Sequence, residues 1–290
     1  MPIILCVCGG FKILKSVFRW ISVCFLPLSL SLQSAQEAFP LSCSDTLRES
    51  TTLKSDLICS EGGLVIDANG VVLDLGGYTV RGPGRGQWVW PERALSSIGV
   101  RVTGKSGVTI RNGRVTNFAT GILLEDTSKV TIEEVSSNSN HYGIYLFRGQ
   151  GNTLSKVNVS DNIYGLHLQD AEENRVTRSV FFRSHYGSPG GYGINLYRSD
   201  RNTITGNRIE LNENQGIWLI DSRDNMIYHN NFIRNSPNAV DGTGVNLWYD
   251  PEQRKGNYWS DYKGSGPYSV RGPGGVKDLY PASEEIALEG

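Results

Sequence analysis

Hydrophobic and polar residues alternate in short runs that recur at a nearly constant interval through the middle of the chain. Each run begins with a glycine, and successive glycines lie 22, 22, 22, 28 and 23 residues apart. The six copies read Gly99-Val-Arg-Val, Gly121-Ile-Leu-Leu, Gly143-Ile-Tyr-Leu, Gly165-Leu-His-Leu, Gly193-Ile-Asn-Leu and Gly216-Ile-Trp-Leu. A fixed interval in this range indicates repeated units that bury their apolar faces by stacking on one another. The pattern therefore predicts a solenoid.

Within each repeat the apolar residues alternate with a period of two, which is the period of a strand and not of a helix. After the run at Gly143, two more short apolar runs follow at 153–154 and 157–159, with Asn, Ser and Gly between them. Three strand-like pieces per repeat predict an all-β fold. We expect a single-stranded parallel β-helix of about seven to nine coils, with equivalent residues about 4.8 Å apart.

Asparagines recur at two fixed offsets from the repeat glycine. Asn152, Asn174, Asn202 and Asn225 follow it by nine residues, and Asn162, Asn212 and Asn235 follow it by 19. Asparagine tolerates the left-handed backbone of turns, and stacked asparagine side chains can form hydrogen-bonded ladders. We interpret both groups as structural turn ladders, in preference to a polar ligand site.

The repeats divide the chain into one elongated domain with two ends. They place the β-helix at 63–250, with an insertion at 81–98 and a C-terminal cap and tail at 251–290. The 290 residues carry a net charge of −1, so the charge gives no indication of a nucleic-acid partner.

Residues 1–38 differ in composition from the rest of the chain. Lys12, Lys15 and Arg19 precede an apolar stretch at 20–32, which small polar residues follow. This order is typical of a secretory signal peptide, and the apolar stretch is shorter than the roughly 20 residues of a membrane span. We expect a secreted or periplasmic protein without stable membrane insertion after signal removal; a membrane anchor is the alternative.

Two cysteines remain after the signal segment. Cys43 and Cys59 bracket a short stretch before the first coil. An even pair in an exported protein predicts a disulfide, which would tie an N-terminal cap at 39–62.

The two ends of the β-helix carry motifs of a known family. The entry coil, from Cys43 to Val80, the repeat Asn202-Thr-Ile-Thr-Gly-Asn207 and the exit Gly256-Asn-Tyr-Trp-Ser-Asp-Tyr262 resemble the NosD-type domain of exported right-handed β-helix proteins. The resemblance covers nearly all of 41–282 and implies a right-handed helix. That broad family includes sugar-binding proteins, polysaccharide lyases, hydrolases and epimerases, and the accessory protein for the copper site of nitrous oxide reductase. Fold alone does not choose among these functions.

The copper chemistry that the resemblance implies needs imidazole or sulfur ligands. The candidates after the signal segment are His141, His167, His185, His229 and Met226. His141 and His185 share a turn position but lie two coils apart, roughly 10 Å by strand spacing. We therefore predict no metal site and no cofactor. No calcium loop is expected either, because Lys263–Pro273 stands where many relatives have an acidic run after the exit motif.

The variable positions of each Gly-apolar-x-apolar-x segment point outward. The first outward column is Arg101, Leu123, Tyr145, His167, Asn195 and Trp218, and the second is Thr103, Glu125, Phe147, Gln169, Tyr197 and Ile220. Aromatic rings interleaved with hydrogen-bonding groups suit the apolar faces and hydroxyls of a glycan. The predicted ligand-binding residues are Tyr145, Phe147, His167, Asn195, Tyr197 and Trp218. The alternative is that these rings only stack across neighbouring strands, or are covered by a loop or tail.

A charged column follows each glycine by five residues. Its members are Asp126, Arg148, Asp170, Arg198 and Asp221. Alternating signs predict a ladder of ion pairs, although aspartate and arginine are also the residue types that a lyase of uronate polymers uses. We assign no catalytic residues. The sequence favours a non-catalytic polysaccharide-binding protein or an envelope accessory factor with a protein partner; the alternatives are a lyase or epimerase and a NosD-like factor in copper-enzyme maturation.

Overall fold

Short strands and left-handed turns build a right-handed parallel β-solenoid of about eight turns. The computed structural model describes residues 40–85, 97–185 and 190–288. Strands and turns account for these ranges without any helix, so the predicted all-β parallel β-helix is confirmed. The predicted signal peptide at 1–38 lies outside the described residues. Within the described ranges, no helix has the length and apolar character needed to cross a membrane.

One parallel sheet of nine strands, called face A here, runs the length of the solenoid. Its strands are β1 (Thr46–Leu47), β4 (Leu64–Ile66), β7 (Ile98–Thr103), β9 (Thr120–Glu125), β11 (Tyr142–Phe147), β14 (Tyr164–Gln169), β17 (Tyr192–Tyr197), β20 (Ile217–Ile220) and β23 (Ala239–Asp241). Every coil contributes one strand to this sheet, and strands pair in chain order. Face A therefore carries equivalent positions of successive repeats side by side.

A second sheet of 15 strands has two arms. Arm 1 contains β2 (Thr51–Thr52), β5 (Val72–Asp74), β12 (Thr153–Ser155), β15 (Arg175–Thr177), β18 (Thr203–Thr205) and β21 (Met226–Tyr228). Arm 2 contains β3 (Leu57–Ile58), β6 (Thr79–Arg81), β13 (Asn158–Ser160), β16 (Val180–Phe182), β19 (Arg208–Glu210), β22 (Asn231–Ile233) and β24 (Tyr258–Trp259). The long strands β8 (Thr109–Thr116) and β10 (Thr131–Asn138) belong to both arms. Near the C-terminus, β25 (Tyr268–Ser269) and β26 (Lys277–Asp278) form an antiparallel pair.

The interior is a stack of apolar columns, one residue per coil and column. On β11, Ile144 and Leu146 are buried, whereas Tyr145 and Phe147 are half-buried on the outer side. The inward residues of the neighbouring strands pair in register with them, but the outward residues Leu123 and His167 are also buried. The predicted period of two therefore separates inward from outward side chains, and it does not by itself give their exposure.

The repeat glycine lies where successive coils approach most closely. A Cβ atom at Gly143 would be 2.6 Å from the carbonyl oxygen of Gly165 and 2.6 Å from Cγ1 of Val159. No other side chain fits in so little space. The strand alternation is also interrupted at this glycine, because Tyr142 packs with Tyr145 on the outer side.

The asparagine ladders are present as predicted. The backbone N–H of Asn152 donates to Oδ1 of Asn174 (2.9 Å), and the N–H of Asn174 donates to Oδ1 of Asn202 (2.9 Å). The second group forms the same contact from Asn212 to Asn235 (3.0 Å). A further ladder, which the offsets from glycine did not single out, joins Ser179, Asn207, Asn230 and Asn257. These side chains satisfy buried turn amides, which supports their structural interpretation.

Both ends of the solenoid are closed by specific contacts. Cys43 and Cys59 form the predicted disulfide, with an S–S distance of 2.01 Å. At the other end the Phe232 ring stacks on Trp259 at 4.4 Å, and the Trp259 Nε1–H donates to Oδ2 of Asp278 at 2.9 Å. Burial raises the pKa of the Asp278 carboxyl despite these hydrogen bonds. Large aromatic side chains thus cover the last coils of the core.

Candidate functional site

The outer surface of face A carries the two predicted columns in the predicted register. Backbone pairing aligns the first column as Arg101, Leu123, Tyr145, His167, Asn195 and Trp218, and the second as Thr103, Glu125, Phe147, Gln169, Tyr197 and Ile220. Among the six predicted ligand-binding side chains, four are half-buried: Tyr145, Phe147, Tyr197 and Trp218. We call these four rings and the residues between them the aromatic face.

The other two predicted ligand-binding residues are not on the exposed surface. His167 is 8% exposed and Asn195 is 4% exposed, so the prediction that they belong to an open face was wrong. The His167 ring lies 5.0 Å from the Tyr145 ring and 5.6 Å from the Tyr142 ring. Neighbouring side chains therefore cover His167, which the alternation of the strand alone could not reveal.

A row of tyrosines that the sequence analysis did not single out lies beside the first column. Tyr142, Tyr164 and Tyr192 immediately precede the repeat glycines and pair in register. Their ring centroids are 4.7 Å apart between Tyr142 and Tyr164 and 5.3 Å apart between Tyr164 and Tyr192. The signal was present in the sequence as a recurring Tyr-Gly pair. The tyrosine precedes the Gly-apolar-x-apolar-x segment, so the alternation within that segment does not include it.

The buried tyrosines support the half-exposed rings. Tyr142 lies 5.3 Å from Tyr145, and Tyr192 lies 5.1 Å from Trp218, between ring centroids. Side chains packed in this way are held in one arrangement before any ligand arrives. The aromatic face is thus a rigid surface, and little conformational freedom remains to be lost on binding.

Burial keeps the groups of this surface uncharged at neutral pH. It raises the pKa of Tyr145 and of Tyr164 to about 12, and it lowers the pKa of His167 and of His141 to about 4. The Tyr145 hydroxyl donates to Oε1 of Gln169 at 2.8 Å. Nδ1 of His167 has no hydrogen-bond partner among the described residues.

The charged column forms ion pairs along one edge of the aromatic face. Arg148 donates to both carboxylate oxygens of Asp126, at 2.5 and 2.7 Å, and Arg198 donates to both of Asp170, at 2.7 and 2.8 Å. Hydrogen bonds from these arginines hold the pKa of each aspartate below its usual value. The pairing matches the predicted ladder, and it leaves neither aspartate with the raised pKa of a general base.

The same arginines lie over aromatic rings. The guanidinium carbon of Arg148 is 3.8 Å from the centroid of Phe147, and that of Arg198 is 4.4 Å from the centroid of Tyr197. Such cation–π contacts attract the guanidinium groups to the ring faces. Rings and charges therefore form one continuous edge.

The opposite edge of face A is also charged. Asp161 lies 3.0 Å from Arg183 and 3.4 Å from His185. At the described start of the insertion, Arg85 donates to the carbonyl oxygens of Ser139 (3.0 Å) and Asp161 (2.6 Å). Residues 86–96 of the insertion predicted at 81–98, with Trp88 and Trp90, and residues 186–189 of the long repeat lie outside the described residues.

Soft and imidazole donors do not converge in the described part of the chain. The sulfurs of Cys43 and Cys59 are joined in a disulfide. His141 and His185 are two coils apart, because Ile163 donates to the His141 carbonyl and His185 donates to the carbonyl of Asn162. Between residues 40 and 288, outside the two gaps, no three His, Cys, Asp or Glu side chains are grouped as metal ligands. This donor set does not fit a copper site.

Comparisons with solved structures find other β-helical proteins. The enzymatically active domain of tailspike protein 2 of bacteriophage CBA120 is 15% identical, with a TM-score of 0.49, over 74% of this chain and 38% of that chain. The Dettilon tailspike protein is 18% identical (TM-score 0.48; 80% and 52% covered). A double mutant of the periplasmic alginate epimerase AlgG is 15% identical (TM-score 0.41; 68% and 64% covered).

Similarity at this level concerns the fold and not the activity. The chain spans only 34–52% of the length of the tailspike structures that it matches. A comparison with curated protein sequences gave no match.

A protein-family model accounts for the main body of the solenoid. The family described as periplasmic copper-binding protein (NosD) matches residues 92–264, which is more than half of the chain. The matched range contains face A from β7 to β23, the three asparagine ladders and the exit motif at Gly256. The chain therefore belongs to the NosD family.

Proposed function

We propose that this chain is an exported, non-catalytic protein that binds polysaccharide along the aromatic face. The observation that carries the proposal is the set of half-exposed rings, Tyr145, Phe147, Tyr197 and Trp218, aligned on a rigid sheet. Tyr145 and Phe147 lie on β11, Tyr197 on β17 and Trp218 on β20, so the rings are spread over three strand spacings of one sheet, or roughly 14 Å. A contiguous aromatic patch of this kind is a common sign of a binding surface.

The chemistry of the surface favours a sugar chain. The apolar face of a pyranose can lie on an aromatic ring, while its hydroxyls bond to Gln169 and to the guanidinium groups of Arg148 and Arg198. Tyrosine and tryptophan supply large contact areas at small entropic cost, which the buried tyrosine row reduces further. The periplasmic description of the family supports export of this member.

An enzyme of the lyase or epimerase class is the second candidate. It requires a base close to the substrate with a suitably placed pKa. Asp126 and Asp170 of the charged column are paired with arginines, which lower the pKa of both carboxyls. This favours binding without catalysis.

Copper-enzyme maturation, which the family description raises, is the third candidate. The donor set of the described residues does not fit a copper ion, so this function would act through a protein partner on the aromatic face. No further observation favours it over sugar binding.

The test is affinity electrophoresis of the mature protein in gels containing neutral or acidic polysaccharides. We expect at least one polymer to retard the wild type, and Trp218→Ala and Tyr197→Ala to weaken retention roughly tenfold, as loss of an aromatic anchor does. Tyr228→Ala, a half-buried aromatic on arm 1, is the matched control and is expected to retain binding.

Two results would contradict the proposal: no polymer retards the wild type, or Trp218→Ala is retained as strongly as Tyr228→Ala. If the polymer is shortened after incubation with the protein, the protein is an enzyme that cleaves it, and the non-catalytic proposal is wrong. Circular dichroism of each variant separates loss of binding from loss of fold.

A further inference from the structure

A half-open cavity of about 230 Å³ lies on the first two coils at the N-terminal end of face A. Strands β4 and β7 form its floor with Leu64, Val65, Ile98 and Arg101, and Ser44, Glu61, Gly62, Gly63 and Ser97 complete the lining. Val65 and Arg101 belong to the first outward column, in register with Leu123 and then Tyr145. The cavity is therefore at one end of the row that carries the aromatic face, two coils or about 10 Å from Tyr145.

Two charged groups of the cavity differ from the other charges of face A. Arg148 and Arg198 are bound to aspartates, whereas the guanidinium of Arg101 makes no hydrogen bond or ion pair with any described residue. The carboxylate of Glu61 is also without such a partner in the described ranges. Both groups line the same cavity, and they do not pair with each other. They remain available to a ligand.

The backbone leaves room beside these two groups. A Cβ atom at Gly62 would have only the carbonyl oxygen of Ile98 within 4 Å, at 3.8 Å. By contrast, a Cβ at Gly63 would be 2.0 Å from the Gly99 carbonyl oxygen, because the coils touch there. The open space is thus at Gly62, on the cavity side of the coil contact.

We propose that this cavity binds one neutral sugar residue, the end of the polysaccharide chain that lies on the aromatic face. The proposal rests on the proposed function in placing a polymer there. A sugar hydroxyl can donate to the Glu61 carboxylate, and its oxygen can accept from the Arg101 guanidinium. The charges of Glu61 and Arg101 sum to zero, so an uncharged sugar that bonds to both groups introduces no net charge into the cavity.

Charged sugars fit this cavity less well. A uronate can pair with Arg101, but its carboxylate is then repelled by Glu61. The ammonium group of an amino sugar can pair with Glu61, but it is then repelled by Arg101. Like charges in close proximity are unfavourable, and the cost grows as water is excluded. The cavity therefore selects a neutral hexose or pentose over its charged analogues.

The experiment is saturation-transfer NMR with single sugars, which does not depend on the aromatic face. Glucose, galactose, mannose and xylose are compared with glucuronate and glucosamine on the wild type, Arg101→Gln, Gly62→Leu and Arg175→Gln. Arg175→Gln is the matched control, because Arg175 is an exposed strand arginine on arm 1 without an ion pair in the described residues. We expect a neutral sugar to bind the wild type and the control equally, with charged analogues at least tenfold weaker.

The two cavity variants should fail in different ways. Gly62→Leu should abolish binding by filling the space, and Arg101→Gln should weaken it roughly tenfold by removing a charged donor. Equal binding to Gly62→Leu and the wild type, no neutral sugar bound, or a charged analogue bound as tightly would each overturn the proposal.

Retention of polymers in the gel assay, compared with the NMR result, tests polysaccharide binding by the aromatic face separately from sugar binding in the cavity. If polymers bind through Trp218 but no single sugar binds in the cavity, the proposed function stands and the chain-end site is wrong. If a neutral hexose occupies the cavity but no polymer is retained, the proposed function fails, and the role of the cavity as a chain-end site fails with it.

Discussion

At the scale of single residues, face A holds two histidines in surroundings that oppose their protonation. His141 and His167 are each buried beside tyrosine rings, and burial lowers the pKa of both to about 4. The unfolded chain has no such surroundings, and its histidines titrate near pH 6.5. Between about pH 4 and pH 6.5 the folded and unfolded states therefore bind different numbers of protons.

This difference predicts a loss of stability in mild acid. Between about pH 6.5 and pH 4 the unfolded state binds more protons, so the free energy of unfolding should fall as the pH falls, by at most about 1.4 kcal/mol per pH unit for each histidine. Urea denaturation at a series of pH values measures the slope. His167→Gln should reduce it, and a slope identical to that of the wild type would show that His167 is not held neutral in the folded state.

At the scale of the structural element, the asparagine ladders connect one coil to the next. The side chain of Asn202 accepts from the backbone N–H of Asn174 and donates to the carbonyl oxygen of Ala171 at 3.0 Å and to Oδ1 of Asn225 at 3.1 Å. It is fully buried. Its removal would leave several buried polar groups without partners, and each such group is costly.

We accordingly expect Asn202→Ala to lower the free energy of unfolding by about 3 kcal/mol or more. Asn158→Ala is the matched control, because Asn158 is exposed on β13, and it should change stability by less than about 0.5 kcal/mol. Equal effects of the two substitutions in chemical denaturation would mean that the ladder side chains do not stabilise the turns.

At the scale of the whole molecule, the entry coil is joined to the rest by stacking on one side only. A terminal coil of a solenoid has one neighbour where an inner coil has two, so it opens more easily. The disulfide between Cys43 and Cys59, 16 residues apart, limits that opening. The rigidity of the first two coils, where the cavity lies, depends on it.

Replacing both cysteines with serine should lower the free energy of unfolding by about 3 kcal/mol, the loop-closure value for a link of this length. Hydrogen exchange should increase first in the strands from β1 to β4, while β11 and β14 remain protected. Equal loss of protection in all strands would show that the entry coil does not open before the inner coils.

The sequence predicted the fold and the alignment of its surface columns because one repeat unit explains both. With a constant interval, residues such as Tyr145 and His167 must lie side by side once the strands are recognised. The pairing of Asp126 with Arg148 followed from the same alignment, whereas the disulfide followed from the even pair of cysteines that remains after the signal segment. The Tyr-Gly pair at Tyr142 was also readable, but its side chain leaves the core only because the alternation is interrupted at Gly143.

Periodicity along the chain was therefore sufficient to predict the parallel β-helix, its register and the two outward columns of face A. Contacts between coils, which exist only in the folded protein, set which of the outward residues reach solvent. His167 and Asn195 are covered by neighbours from adjacent coils, and the cavity between Glu61 and Arg101 forms from segments 40 residues apart in sequence. Exposure and enclosure depend on how side chains of different coils pack together, and a one-dimensional pattern does not contain that information.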